Sequence, residues 1–328
     1  MYFKYYVTVL LMVIPEVIHS AYAWGFFAHE SINHLAVYTL DPELFGFYKK
    51  HTEYIVRSSV NPDKRRYLVD SEGARHYIDV DQYEKELPLD TIRWGYDSLC
   101  NRFGIEHVQE HGIAPWNILW MQWRLTEAFR NRDVHSVLKL SAEIGHYISD
   151  LHVPLHTTSN YNGQKTGQEG IHALWESRLP ELFFSNYWLF SGTAVYLPNI
   201  KNVVYDILEE SHRLSQIVLW CDKQVRESIP SHKYYTIELR KGKSIKTYSL
   251  AYRKEYHRLL GEMVENRMRD SIHIVGSIWK TCWIDAGQPD MKVDVAFPEF
   301  DTIQITASDS LKVEQKSGRK AKSRIDAH

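Results

Sequence analysis

Two histidine–acid pairs at four-residue spacing constrain this chain more tightly than any other feature. They are His146 with Asp150 in "GHYISDLH" and His172 with Glu176 in "IHALWE". On an α-helix, residues four apart lie about 40° from one another around the axis, so each pair presents both side chains on one face. His156 stands just past Pro154, where the helix must stop and a loop can turn the imidazole back. Imidazole nitrogens and carboxylate oxygens are ligands that zinc accepts. One such pair alone is commonly a helical surface pair. Two pairs and His156, within about thirty residues, point to a metal centre carried on helices.

The rest of the chain keeps the helical period. Apolar positions in "HESINHLAVYTL" predict an amphipathic helix that Asp41-Pro42 ends. A second helix is expected through "PELFGFYKKHTEYIV", and a third through "PWNILWMQWRLTEAFRN" behind Pro115. Asp133 can cap "VHSVLKLSAEIGHYISDLH". Further helices are expected after Gly170, over about Val203–Glu227 and over Tyr252–Trp283. Strand signals are sparse, and "KYYTIELRKGKSIKTYSL" reads either as a hairpin or as an irregular excursion. The expectation is one all-α, multi-helix domain over Trp24–Asp285 without repeats, followed by a polar, basic extension over 286–328.

The chain starts with Lys4, the apolar run "YYVTVLLMVI" and small residues at Ala21 and Ala23. This is the pattern of a secretory signal over residues 1–23, with an apolar run shorter than the roughly 20 residues that span a bilayer. Cleavage after Ala23 would make Trp24 the first residue, with a free amine, and the protein would be exported, periplasmic or secreted. A formal charge of -2 gives no electrostatic footprint for duplex nucleic acid. Three cysteines, Cys100, Cys221 and Cys282, allow at most one disulfide, with the pair left open, and show no C-x-x-C metal spacing.

Three further residues stand apart: His29 in "WGFFAHE", Asp63 in "NPDKRRY" and His76 in "RHYIDVD". Singly, each has an ordinary structural role, as a helix-start residue, a turn residue after Pro62 and a half-buried histidine. "HESINH" is not a zincin motif, because His29 and His34 are five apart and lie about 140° from one another on a helix. "NGQKTGQEG" lacks the order of a phosphate-binding loop and reads as the loop that returns His172 to the centre. "FFSNYWLFSGTAVYLP" could line a substrate cleft or pack as an aromatic segment.

Taken in order, Trp24, His29, Asp63, His76, His146, Asp150, His156, His172 and Glu176 resemble the zinc-dependent phospholipase C and single-strand-specific nuclease superfamily. The resemblance covers nearly the whole expected domain and includes "HGIAPW" ahead of the helix leading to His146. It implies an all-helical fold with a trinuclear zinc cleft. Asp63, His76, His146 and Asp150 would surround one Zn2+ ion. His156, His172 and Glu176 would hold a second. Trp24 (through its amine and carbonyl), His29 and Asp150 would hold the third, with Asp150 bridging. The implied reaction is phosphodiester hydrolysis, in which cations offset the substrate's charge and lower the pKa of water. Asp63 would orient or deprotonate that water.

Two substrate classes follow from the resemblance. A phospholipase C would act on phospholipid head groups, with transient membrane-surface contact. A nuclease would act on single-stranded RNA or DNA, stacking bases on aromatics such as Tyr77. The Trp24–His29 spacing is closer to the nuclease branch. Glu176 and the missing extra cysteine pairs fit the phospholipase branch, which is favoured. A zinc-loaded binding protein without turnover would be expected to lack a ligand, and the set is complete. No stable protein partner is indicated.

Overall fold

The computed structural model describes residues 25–240 and 242–291. The expected signal segment, Trp24 and the chain beyond Met291 lie outside the described residues. Helices α1 (Phe26–Val37), α2 (Pro42–Lys50), α3 (Thr52–Ser58) and α4 (Asn61–Arg65) come first. An irregular stretch with tight 3₁₀ turns leads to α5 (Tyr96–Phe103) and α6 (Ile105–Glu110). The long helices α7 (Ala114–Arg130) and α8 (Val134–Leu151) follow as a hairpin. After them come α9 (Ile171–Ala173), a π-helical turn over Leu174–Arg178, and α10 (Leu179–Phe183). The chain closes with α11 (Ile200–Ser228), strands β1 (Tyr235–Arg240) and β2 (Lys243–Tyr248), α12 (Leu250–Leu260) and α13 (Met263–Asp285). Among the described residues the two antiparallel strands are the whole of the sheet structure, so the all-α expectation holds.

Helix α8 is the axis. Every residue from Leu140 to Leu151 is buried, because α1, α3, α7 and α13 all pack on it. A helix enclosed on all sides must find partners inside the protein for any polar residue it carries. Its start is set as expected: the Asp133 carboxylate accepts from the Ser136 backbone N–H at 3.1 Å. Aromatic residues clamp its flank. The Trp279 ring stacks on Tyr48 with centroids 4.6 Å apart, and its indole N–H donates to the Ser141 carbonyl at 3.0 Å.

Two expected helices are interrupted. The run through "PELFGFYKKHTEYIV" breaks at His51, whose backbone leaves the helical region (φ -108°, ψ 17°). The Thr52 hydroxyl there bonds the Lys49 and Tyr48 carbonyls, an alternative to helix continuation that Thr side chains offer. The stretch Tyr252–Trp283 divides at Gly261, with φ +59° and ψ -131°, a positive-φ conformation that glycine adopts without a Cβ penalty. Sequence periodicity shows neither break, since the apolar spacing resumes in phase. The one disulfide that three cysteines allow is not formed: Cys100, Cys221 and Cys282 are free thiols. Burial pushes Cys282 up to about 12, which leaves it an inert core residue. Packing continues past Asp285, with the Trp283 indole donating to the Pro289 carbonyl and Met291 buried.

Helix α1 approaches α8 closely at Gly145. A Cβ on Gly145 would lie 2.1 Å from Asn33 Oδ1 and 2.9 Å from its Cγ. Asn33 cannot swing away without giving up its bond to the Ala142 carbonyl (2.9 Å). Gly145→Ala should therefore destabilise the fold by about 1–3 kcal/mol, the usual cost of overpacking, read as a lower denaturant midpoint. An unchanged midpoint would show that the two helices separate easily.

Candidate metal centre

Eight of the nine residues expected at the centre lie among the described residues, and the fold brings all eight together. They come from separate elements: His29 from α1, Asp63 from α4, and His76 from the segment after the Gly73–Arg75 turn. His146 and Asp150 come from α8, His156 from the turn at Pro154, and His172 and Glu176 from α9 and the π-helical turn. None is more than 4% exposed. Their ligand atoms form three groups, each within 4.8 Å: His29 with His146 and Asp150, Asp63 with His76 and His146, and His156 with His172 and Glu176. These buried clusters could hold metal ions.

Asp150 sits where the groups meet. Its Oδ2 lies 2.9 Å from His76 Nδ1 and 3.2 Å from His146 Nε2. Its Oδ1 lies 3.5 Å from His29 Nε2 and 3.6 Å from His156 Nδ1. Burial pushes the carboxyl up, but His146 and His156 outweigh it and hold Asp150 well below the ordinary range. Glu176 follows the same logic: burial raises it, and His172 and His156 bring it down to about 2. Asp63 goes the other way. Burial lifts it to about 6 against the opposing pull of His146 and His76.

Local hydrogen bonds aim the imidazoles. The Ser149 hydroxyl donates back to its own helix, at Gly145 or His146, so it accepts from His29 Nδ1 at 2.9 Å. That fixes the tautomer with the Nε2 lone pair towards Asp150. Burial, with His146 second, lowers the pKa of His29 well below its ordinary value, which keeps this nitrogen available. His156 Nδ1 donates to the His76 carbonyl at 2.9 Å, leaving Nε2 facing Glu176 Oε2 at 3.3 Å. The His76 segment is itself tied down: Ile78 N–H donates to the His156 carbonyl (2.9 Å) and Ile113 N–H to the Ala74 carbonyl (2.6 Å). Thus "HGIAPW" holds "RHYIDVD" in place. Gly112 is required there, at φ +91° with the Tyr77 carbonyl 2.1 Å from where a Cβ would be.

The fit to a cation is visible in what these groups leave unmet. His76 Nδ1 and His146 Nε2 stand 3.1 Å apart, with Asp63 Oδ1 at 3.9 and 3.8 Å from them. Both oxygens of Asp63, Oδ1 of Asp150 and Oε1 of Glu176 are buried without a hydrogen-bond donor. Buried carboxylates in this condition are costly unless a cation reaches them.

Comparison with known proteins adds nothing to this picture. No family model matches the chain, and no curated protein matches it significantly.

A second group of residues backs the centre and was not anticipated from the sequence. Buried Arg65 forks onto Glu143 at 2.5 and 3.0 Å and reaches Glu72 at 3.4 Å. Glu72 also takes Arg75 at 3.0 Å and the Tyr147 hydroxyl, and its Oε1 faces His76 Nε2 at 3.7 Å. Burial would raise Glu72, but His76, Arg65 and Arg75 hold it well below the ordinary range. The available signal was Glu72 four residues before His76, and Glu143 and Tyr147 four apart on an otherwise apolar helix. His34, by contrast, is exposed while His29 is buried, as the 140° separation required. Tyr77 is buried, with its hydroxyl donating to the Glu110 carbonyl at 2.8 Å, so it is not offered for base stacking.

Glu72→Gln keeps the shape and removes the anion behind His76. It should weaken metal affinity by about 10- to 100-fold, the usual effect of losing an outer partner of a ligating histidine, measured by chelator competition. Unchanged affinity would make the Arg65–Glu72–Glu143 network purely structural.

Proposed function

We propose that this chain is a zinc-dependent phosphodiester hydrolase, with phospholipase-C-type cleavage of phospholipid head groups ahead of single-strand nuclease activity. The observation that carries the reading is the convergence of five imidazoles and three carboxylates in three buried groups, two of which share His146 while the third borders on Asp150 through His156. A donor set of nitrogen and carboxylate oxygen suits zinc, whereas calcium and magnesium take oxygen shells. Bound zinc would supply positive charge against an anionic phosphodiester and acidify water towards a pKa of about 7. The chain's own residues then divide the remaining work. Asp150, facing ligands of all three groups, holds the cluster together. Asp63, with both oxygens free of hydrogen-bond donors, is placed to orient a water or take up its proton. Ser149 and the His76 carbonyl hold His29 and His156 in their ligating tautomers. The burial of Tyr77 favours the phospholipid reading over the nuclease one, since it removes one of the aromatics offered for stacking.

The direct test is to assay zinc-loaded protein against phosphatidylcholine, single-stranded DNA, RNA and a chromogenic phosphodiester together. Diacylglycerol release should exceed nucleotide release. Elemental analysis should find close to three zinc ions per chain, matching the three groups. Asp150→Ala should lose more zinc and more activity than Glu176→Ala, and equal loss would remove the bridging role. No turnover of any diester by fully zinc-loaded protein would overturn the reading.

Trp24 belongs to the same proposal. Gly25, the first described residue, donates its N–H to Ser177 Oγ at 3.0 Å, beside Glu176, which supports a ligand role for the residue before it. A free amine can bind a metal, but a peptide nitrogen has its lone pair delocalised and does so poorly. One extra residue ahead of Trp24 should leave the fold intact and remove the third zinc and most of the turnover. Full loading and full turnover of the extended protein would exclude the terminal amine as a ligand.

A further inference from the structure

The metal centre does not use the β1–β2 hairpin, yet the hairpin's exposed side chains are of an unusual kind. Its register pairs Tyr235 with Tyr248, Ile237 with Lys246 and Leu239 with Ser244, and residues two apart on a strand share a face. Along that face exposure rises steadily towards the turn, from 5% at Tyr248 and 36% at Tyr235 to 65% at Ile237 and 75% at Leu239. The base is docked on the body and the tip overhangs it. Ile245, on the opposite face, is also exposed.

The base is anchored beside the metal centre. The Tyr248 hydroxyl donates to the Glu169 carbonyl at 3.0 Å and accepts from Arg226 at 2.8 Å, just ahead of the helix that delivers His172. The Tyr248 ring packs at a tilt against Tyr252, centroids 4.6 Å apart, and the Tyr252 hydroxyl donates to Asp222 at 2.5 Å. Glu238 is engaged by Arg253. The sequence over residues 233–246 carries five basic residues, Lys233, Arg240, Lys241, Lys243 and Lys246, against Glu238 alone. A local excess of four positive charges thus stands on a chain whose formal charge is -2.

We propose that this hairpin docks the protein on an anionic lipid surface, with Ile237 and Leu239 entering the interface and the exposed Lys233 and Lys246 meeting acidic head groups. The docking rests on the phosphodiesterase reading only for its purpose, which is to bring phospholipid to the neighbouring centre. Aliphatic side chains among lysines are the combination that an acidic bilayer surface attracts, through apolar burial and through roughly 1 kcal/mol per basic residue. Single-stranded nucleic acid would call for aromatic platforms, and no aromatic residue lies between Thr236 and Lys246. Strand-to-strand pairing with a second copy is opposed by the lysines on the hairpin.

The experiment is co-sedimentation of the full chain with vesicles of phosphatidylcholine, with or without about one-third phosphatidylserine. The wild type should bind the acidic vesicles, bind neutral ones much less, and be released by added salt. The double substitution Ile237→Asp with Leu239→Asp, and separately Lys246→Glu, should each cut binding to acidic vesicles at least about tenfold. Both should keep wild-type circular dichroism and zinc content. Binding that is absent, equal on neutral vesicles or equal in the variants overturns the proposal. Turnover of a soluble chromogenic phosphodiester reads the centre separately. Its absence with vesicle binding intact would sink the hydrolase reading and leave the docking surface standing.

Discussion

A carboxylate as deeply buried as Asp150 survives only if positive charge or hydrogen-bond donors meet it from every side. Here the surrounding groups are imidazoles, backed by two more carboxylates within the same buried volume. Imidazoles can offer a cation lone pairs as well as offering a carboxylate protons, and three buried acids share these groups. Buried Arg65 is committed to Glu143 and Glu72, and Arg66 stands 3.9 Å from Asp63 Oδ1. Clusters of this composition could hold metal ions. The rest of the fold can be read as the scaffold that keeps them from relaxing into internal salt bridges.

That scaffold depends on α8 being enclosed. Its first half supplies ordinary core contacts with α7 and α13, and the clamp of Tyr48 and Trp279 keeps it from sliding. Its second half carries two polar faces. One, with His146, Ser149 and Asp150, points to the centre. The other, with Glu143 and Tyr147, points to Arg65 and Glu72. Because Glu72 also faces His76, the outer network and the centre share a wall. A displacement of α8 would disturb both, which is why the glycine contact at Asn33 bears on chemistry as well as on stability.

The chain also separates rigid and projecting parts. Among the described residues no helix is long and apolar enough to cross a membrane. The hairpin combines apolar tip residues with a locked base of tyrosines, and it sits in sequence between the long α11 and α12. A tip that is expensive to expose, on a base that is well packed, is understandable if the tip meets something other than water.

The sequence by itself determined the helical class and the inner half of the centre. Apolar spacing marked α1, α7, α8 and α11 because a helix buries one repeating face, and four-residue spacing paired His146 with Asp150 and His172 with Glu176. These are relations within a turn or two, and periodicity is a local record. His29, Asp63 and His76 were legible only through the resemblance, since each taken singly has an ordinary role. The break at Gly261 and the Thr52 hydroxyl's competition at His51 left the apolar pattern in phase, so neither was visible. Only the tertiary structure could bring His29 to Ser149 across 120 residues and His76 to His146 across 70. Only it could set Glu72 behind His76 with Arg65, Glu143 and Tyr147. Those contacts arise from which helices pack on α8 and at what height, and helix packing joins faces that no sequence spacing links.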